Sequence, residues 1–118
     1  MSGSGMEGEH PWVDIVPGVR RQTITTGTTM YQMRARLDAG SVLPVHQHSQ
    51  EQITHVITGR LRMIVAGEPR ELRSGESVYI PANTPHGVET MEDSLAIDTF
   101  SPPRDDYLAI DARSAVGS

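Results

Sequence analysis

The chain has 118 residues, a formal net charge of −5 and no cysteine, which fits one domain and excludes disulfides and cysteine-based zinc sites. The acidic balance disfavours nucleic acid as a partner, since a phosphate-binding face needs a basic patch, and no stretch approaches the roughly 18 consecutive apolar residues of a membrane helix. The lack of cysteine suits a cytoplasmic protein, and the lack of lysine excludes Schiff-base chemistry.

The chain begins with a segment rich in glycine and serine, which we predict to be a disordered leader over residues 1–10. After it, short alternating runs lie between turn signals, which is typical of an all-β protein. Gly59 is interpreted as a hairpin turn, Pro102-Pro103 ends the last strand, and a short helix is predicted near 106–112. The predicted strands are 20–25, 29–37, 41–45, 52–58, 60–66, 70–73, 77–80, 85–91 and 94–100.

A pair of histidines two residues apart is the strongest chemical signal. His46 and His48 point to the same face of an extended strand, because side chains alternate, and neutral imidazole is the commonest metal ligand. Gln52 lies an even number of residues after His48, so its side chain points to the same face and can join the pair if the chain stays extended. Its neighbour Glu51 is a rival ligand, but its side chain would point to the opposite face. His55 also has the opposite parity, so we assign it to the outer face or to a subunit contact.

These residues lie within two motifs that resemble those of the cupin superfamily. The first contains Gly40, then His46-Gln47-His48, Gln52 and Gly59. The second contains Gly75, then Pro81-Ala82-Asn83 and His86. The resemblance implies an all-β, single-domain cupin, that is, a double-stranded β-helix or jelly-roll barrel, with short irregular N- and C-terminal extensions. The cupin domain would span residues 11–108, and residues 109–118 would form a C-terminal tail.

The resemblance implies one divalent metal ion, with nickel, iron, manganese, zinc and copper as the candidates, held by His46, His48, Gln52 and His86. Gln52 stands where the commonest cupin pattern has a carboxylate. Three imidazoles and one amide leave the charge of the metal uncompensated, so we expect the site to attract an anion. Four protein ligands also leave one or two positions open on a six-coordinate metal.

The C-terminal run Asp98-x-Phe100-x-Pro102-x-Arg104 resembles the end of the KdgF-type cupins of pectin and alginate breakdown. Those proteins convert 4,5-unsaturated uronates into linear 4-deoxy-5-keto uronates. Strand parity alone leaves Asp98 facing either the barrel cavity or solvent. The resemblance implies that Asp98 is catalytic and that Arg104 and Phe100 bind the substrate, a small molecule that is a carboxylate-bearing sugar.

Three functions remain open at this point. The first is an isomerase-type enzyme acting on an unsaturated uronate. The second is a metal-dependent dioxygenase of the quercetinase or diketone-cleaving kind, which would need a redox-active metal. The third is a non-enzymatic domain that binds or senses a small molecule and turns over no acidic sugar.

A homodimer is the expected assembly, because cupins of this size are usually dimers. By strand parity Ile53, His55 and Ile57 face outward. Apolar surface of this kind is best buried against a second copy of the chain.

Overall fold

The structure is a computed structural model that describes residues 10–117, so most of the predicted leader lies outside the described residues. In this part of the chain, no helix is long and apolar enough to cross a membrane. The elements are β1 (Trp12–Val16), β2 (Val19–Thr26), β3 (Tyr31–Leu37), β4 (Val42–His46), β5 (Glu51–Val65), β6 (Glu68–Arg73), β7 (Ser77–Ile80), β8 (His86–Ser101) and α1 (Asp105–Gly117).

The strands form one antiparallel sheet that is built around the long pair β5 and β8. The order is β1-β2-β3-β8-β5-β6, with β4 paired to β8 and β7 paired to β5. β5 and β8 pair from Glu51 opposite Ser101 to Val65 opposite His86. Each long strand also has one additional partner near each of its ends, so the sheet curls around an interior space. This architecture confirms the all-β prediction.

The interior is apolar because alternate residues of each strand point into it. Tyr31, Met33, Ala35 and Leu37 on β3 are between 1% and 5% exposed, as their alternation predicts. One cluster of apolar side chains fills most of the barrel, and a second cluster lies where α1 packs. The second cluster contains Tyr31, Met33, Phe100, Tyr107 and Leu108.

The prediction of a hairpin at Gly59 is wrong, because β5 runs through this residue without a turn. Residues 60–65 pair with β6 and not with the preceding segment. Gly59 has a φ of +97°, and a Cβ atom there would lie 2.2 Å from Ser94 Oγ. The pairing with β8 shifts register between Val56 and Leu61. The glycine therefore permits a bend inside a continuous strand. The two strands predicted at 85–91 and 94–100 likewise merge into β8.

The helix near the C-terminus is longer than predicted. It runs from Asp105 to Gly117, so the C-terminal tail, expected to be irregular after a short helix near 106–112, is helical through residue 117. Asp111 on this helix forms a buried ion pair with Arg21, at 2.9 Å, and accepts a hydrogen bond from Thr23 Oγ1 at 2.6 Å. These contacts hold α1 against β2.

The domain limits at 11 and 108 stay predictions. β1 was not predicted as a strand; it pairs with β2.

Candidate metal centre

Three histidine side chains converge at one end of the barrel. His46 ends β4 and lies opposite His86, which begins β8, while His48 follows β4 in a loop. The ring centroids of His46 and His48 lie 4.3 Å and 4.8 Å from that of His86, and 5.7 Å from each other. One ring nitrogen from each residue lies within 4.8 Å of the others. The three side chains thus form a compact group that could hold one metal ion.

Each of the three imidazoles has its Nδ1 atom fixed by a backbone carbonyl. The carbonyl partners of His46, His48 and His86 belong to Pro44, Gln50 and Thr84, at 2.8, 2.9 and 2.8 Å. A carbonyl oxygen only accepts, so Nδ1 carries the ring hydrogen in the neutral form. The lone pair is then on Nε2, which is the arrangement that metal-binding histidines adopt.

The His86 side chain gives the clearest test of whether a metal fits. It is 2% exposed, and its Nε2 atom is buried without a hydrogen-bond partner among the described residues. An unsatisfied buried nitrogen costs about 1–3 kcal/mol, which a metal ion would offset. Burial lowers the pKa of His86 to about 4, and burial together with Arg104 lowers the pKa of His48. Both rings are therefore neutral at pH 7 and able to bind a metal.

Gln52, and not Glu51, extends to the histidine group. Gln52 is 7% exposed, and its Oε1 atom lies 3.1 Å from His48 Nε2. Its Nε2 atom donates a hydrogen bond to Thr54 Oγ1 at 2.9 Å. Glu51 lies on the opposite, exposed face and accepts a hydrogen bond of 2.8 Å from the Tyr79 hydroxyl. An amide oxygen beside three imidazoles completes a set of four neutral donors.

The side chains of Ile53, His55 and Ile57, which strand alternation predicted to face outward, lie on the outer face of β5. The Nδ1 atom of His55 lies 2.7 Å from Ser77 Oγ on the neighbouring strand, away from the other histidines. Ile53 is 47% exposed and Ile57 is 41% exposed. The outward orientation of these side chains is confirmed, whereas the dimer is a prediction that the single chain does not test.

Asp98 faces the barrel cavity, which decides between the two orientations that the sequence left open. It is 7% exposed and shares the inner face of β8 with Ala96, which is 1% exposed. Thr54 Oγ1 donates a hydrogen bond of 2.6 Å to Asp98 Oδ1. Burial raises the pKa of the Asp98 carboxyl to about 6, although Thr54, Gln52 and Arg104 oppose this rise. The carboxyl can therefore exchange a proton near neutral pH.

Arg104 is buried where the chain leaves β8, and it is held on several sides. It is 7% exposed, and its Nε and Nη2 atoms donate to the Asp106 carboxylate at 3.1 Å and 3.0 Å. Its guanidinium lies 3.8 Å from the centroid of the Tyr107 ring and 4.9 Å from that of Phe100. The Phe100 ring in turn contacts the His48 ring, with centroids 5.5 Å apart. Phe100 therefore connects Arg104 to the histidine group.

All of the predicted site residues line one cavity, which joins a polar end to an apolar interior. The polar part is formed by His46, His48, Gln52, Thr54, His86, Asp98, Arg104 and Tyr107. Sequence reasoning missed Thr54 and Asp106. For Thr54, the available signal was its position two residues after Gln52, on the same strand face. For Asp106, the signal was only its closeness in sequence to Arg104.

Comparisons with known proteins agree with this arrangement. The family described as "Cupin domain" matches residues 33–98. The pectin degradation protein KdgF of Dickeya dadantii is 32% identical over 105 residues, which cover 87% of this chain and 96% of that protein. The H2HPP isomerase of Bacillus subtilis is 36% identical over 104 residues, which cover 79% of this chain but 44% of that protein.

Solved structures give the same result. KdgF from a Halomonas species has a TM-score of 0.79 and 37% identity, covering 85% of this chain and 93% of that one. An RmlC-like cupin from Shewanella frigidimarina has a TM-score of 0.79 and 29% identity, covering 85% and 90%. The domain match covers more than half of the sequence and contains all four residues of the candidate metal site, as well as Asp98. The chain therefore belongs to the cupin family.

Proposed function

We propose that the chain is a metal-dependent enzyme that converts 4,5-unsaturated uronates into linear 4-deoxy-5-keto uronates, an isomerase-type ring opening and tautomerisation. The observation that carries this proposal is that a buried carboxyl, Asp98, and a buried guanidinium, Arg104, line the same cavity as the three histidines. The similarity to a pectin degradation protein over 87% of the chain supports an acidic sugar as the substrate.

His46, His48, Gln52 and His86 would hold the metal ion, since their free donor atoms meet at one end of the cavity. Imidazole and amide donors suit nickel, iron, manganese, zinc and copper. When bound, the ion supplies Lewis-acid polarisation of substrate oxygens. Because none of the four donors carries a negative charge, the site retains a positive field that favours an anionic substrate.

Arg104 is proposed to bind the C6 carboxylate of the uronate. Its bonds to Asp106 use Nε and Nη2, so Nη1 can donate to a substrate oxygen. The rings of Tyr107 and Phe100 beside the guanidinium restrict its motion. A guanidinium that is already oriented loses less entropy when it binds a carboxylate, and charge-assisted hydrogen bonds are the strong ones.

Asp98 is proposed to move the proton that the reaction requires. The C4=C5 double bond of the substrate is part of an enol ether. When the C1–O5 bond breaks, the C1 hydroxyl becomes an aldehyde, and its proton passes to O5, which remains on C5 as an enol hydroxyl. Transfer of the enol proton to C4 then gives the ketone at C5. The formula is unchanged, so no oxidant or reductant is required. A carboxyl with a pKa of about 6 can accept and return a proton near neutral pH.

A turnover assay tests this proposal. The substrates are the unsaturated monouronates that pectin and alginate lyases release, and the signal is loss of double-bond absorbance above the spontaneous rate. We expect Asp98→Asn to keep its metal and lose about 10²–10⁴-fold in kcat. Arg104→Ala should mainly raise KM, and Arg104→Lys should restore part of the loss, because lysine offers a point charge without a planar fork.

Two outcomes would contradict the proposal at different levels. If the wild-type protein with measured metal content does not exceed the spontaneous rate on either galacturonate- or mannuronate-derived substrate, the reaction is wrong. The oxygenase and sensing alternatives would then take its place. If the wild type is active and Asp98→Asn is equally active, the reaction stands and the assignment of Asp98 as its catalytic residue does not.

The proposed assembly is a homodimer formed through the outer face of β5 and β7. Ile53 lies opposite Tyr79 in the sheet, and both are about half exposed, at 47% and 53%. Analytical ultracentrifugation should show a dimer that Ile53→Arg dissociates. Val42→Arg, at an apolar position on β4 that is 55% exposed, serves as the matched control and should leave the dimer intact. A monomeric wild type would refute the assembly.

A further inference from the structure

We infer that Thr54 is a positioning residue that fixes the direction of the Gln52 side-chain amide, with its oxygen toward the histidine group. This inference rests on the proposed metal site and adds a residue to it. Thr54 is 3% exposed and lies on the inner face of β5, two residues after Gln52. It lies directly opposite Asp98 in the pairing of β5 with β8.

The Thr54 hydroxyl has two partners and only one hydrogen. Oγ1 lies 2.6 Å from Asp98 Oδ1 and 2.9 Å from Gln52 Nε2. A carboxylate oxygen only accepts, so the hydroxyl hydrogen is given to Asp98. Oγ1 must therefore accept from Gln52, and the part of the amide that faces Thr54 is the NH₂ group. The amide oxygen then points the other way.

At the other end of the amide, two acceptor atoms face each other. Gln52 Oε1 lies 3.1 Å from His48 Nε2. His48 Nδ1 contacts the Gln50 carbonyl, so it holds the ring hydrogen and Nε2 holds a lone pair. Two lone pairs at this distance repel each other unless a cation lies between them. The observed amide direction is thus favourable in the presence of a metal and unfavourable without one.

The reversed amide would act against metal binding. With the NH₂ group turned inward, Gln52 would donate a hydrogen bond to His48 Nε2 and occupy the lone pair that a metal needs. One rotation would therefore remove two ligands together. The hydroxyl of Thr54 opposes that rotation, since the reversed amide would bring two acceptors, Oε1 and Oγ1, against each other. The Asp98 carboxyl, which the Gln52 side chain also hydrogen-bonds, favours the same amide direction. Thr54 acts through Gln52 and does not touch the metal itself.

The test measures metal affinity in the absence of any sugar. Metal-free protein is titrated with Ni²⁺ or Zn²⁺ by calorimetry, for wild type, Thr54→Val and Thr54→Ser. Valine matches threonine in shape but lacks the hydroxyl, and serine keeps it. We expect Thr54→Val to weaken binding by about 10–100-fold, the range found for groups that orient metal ligands, and Thr54→Ser to stay within a few-fold of wild type.

A matched control separates this effect from the cost of removing any buried hydroxyl. Thr90 is 5% exposed and its Oγ1 accepts a hydrogen bond from Ser41. Thr90→Val should leave metal affinity unchanged. A second comparison uses Gln52→Glu, because a carboxylate presents an oxygen in either direction. In that background Thr54→Val should lose most of its effect on affinity, as a double-mutant cycle would show.

Several results would overturn the inference. One is wild-type affinity in Thr54→Val, and another is an equal loss in the Gln52→Glu background, which would show that the hydroxyl does not act through the amide. Absence of metal binding by the wild type would remove the site altogether. If Thr54→Val does not fold, Thr54→Ala takes its place in the same cycle. Because no substrate is used, inactivity toward uronates would reject the proposed reaction and leave this result intact.

Discussion

Replacing Asp98 with asparagine is expected to stabilise the metal-free protein above neutral pH while it removes catalysis. Burial raises the pKa of this carboxyl from 3.8 to about 6. Between those values the folded protein retains a proton that the unfolded chain has released. Two pKa units, at about 1.4 kcal/mol each, correspond to about 3 kcal/mol. The contribution of the protonated carboxyl is fully present below pH 4 and is lost as the pH rises through 6.

Asparagine avoids this loss because it is neutral at every pH. Its side-chain oxygen can still accept the hydrogen bond from the Thr54 hydroxyl, so the substitution changes charge and little else. The measurement is urea unfolding of wild type and Asp98→Asn, with a chelator present, at a series of pH values from about 4 to 8. His48 and His86 titrate in both proteins, so their effects on the free energy of unfolding cancel in the difference.

We expect that difference to be near zero at about pH 4 and to approach about 3 kcal/mol in favour of Asp98→Asn at about pH 8. A difference that does not change with pH would show that the carboxyl is not destabilised by burial. A less stable asparagine variant at pH 8 would show that the ionised form is well compensated. Either result would remove the physical reason for assigning the proton transfer to Asp98.

Elemental analysis should show that His86→Ala loses most of its bound metal and that His55→Ala keeps it. Equal losses in the two variants would show that the strand register is misread. Gln52→Glu should keep or tighten metal binding and weaken binding of the uronate, because the added charge reduces the positive field; unchanged uronate affinity by calorimetry would contradict this. Asp106→Asn should raise KM several-fold at constant metal content, since it loosens Arg104, the residue proposed to bind the substrate, while Asp105→Asn should behave as wild type.

The histidine group was predictable because its signals are local. Alternation along an extended chain is enough to place His46 and His48 together and to select Gln52 over Glu51. The structure brings these side chains to one point, although His48 lies in the loop after β4 and the chain bends before Gln52, so the condition of an extended chain is not met. His86 lies far away in sequence and could be added only through the resemblance to a known family.

Other features depended on pairings that alternation does not specify. Asp98 could not be oriented until β8 was known to lie between β3 and β5, with Met33 on one side of it and Thr54 on the other. The bend at Gly59 was mistaken for a turn because a positive φ serves both purposes. The packing of α1 against β2 likewise depends on Arg21, a partner that no local pattern reveals.

The contact between Arg21 and Asp111 also limits how the protein can be trimmed. Arg21 is 1% exposed, so shortening the chain to end before Asp111 would leave a buried guanidinium without its carboxylate, at a cost of about 3–5 kcal/mol. The loss of this contact would also affect residues away from the C-terminus. The guanidinium groups of Arg21 and Arg104 lie 4.1 Å and 3.8 Å from the centroid of the same Tyr107 ring. A shortened version would therefore disturb Arg104, which lines the same cavity as the histidine group, even though every histidine is retained.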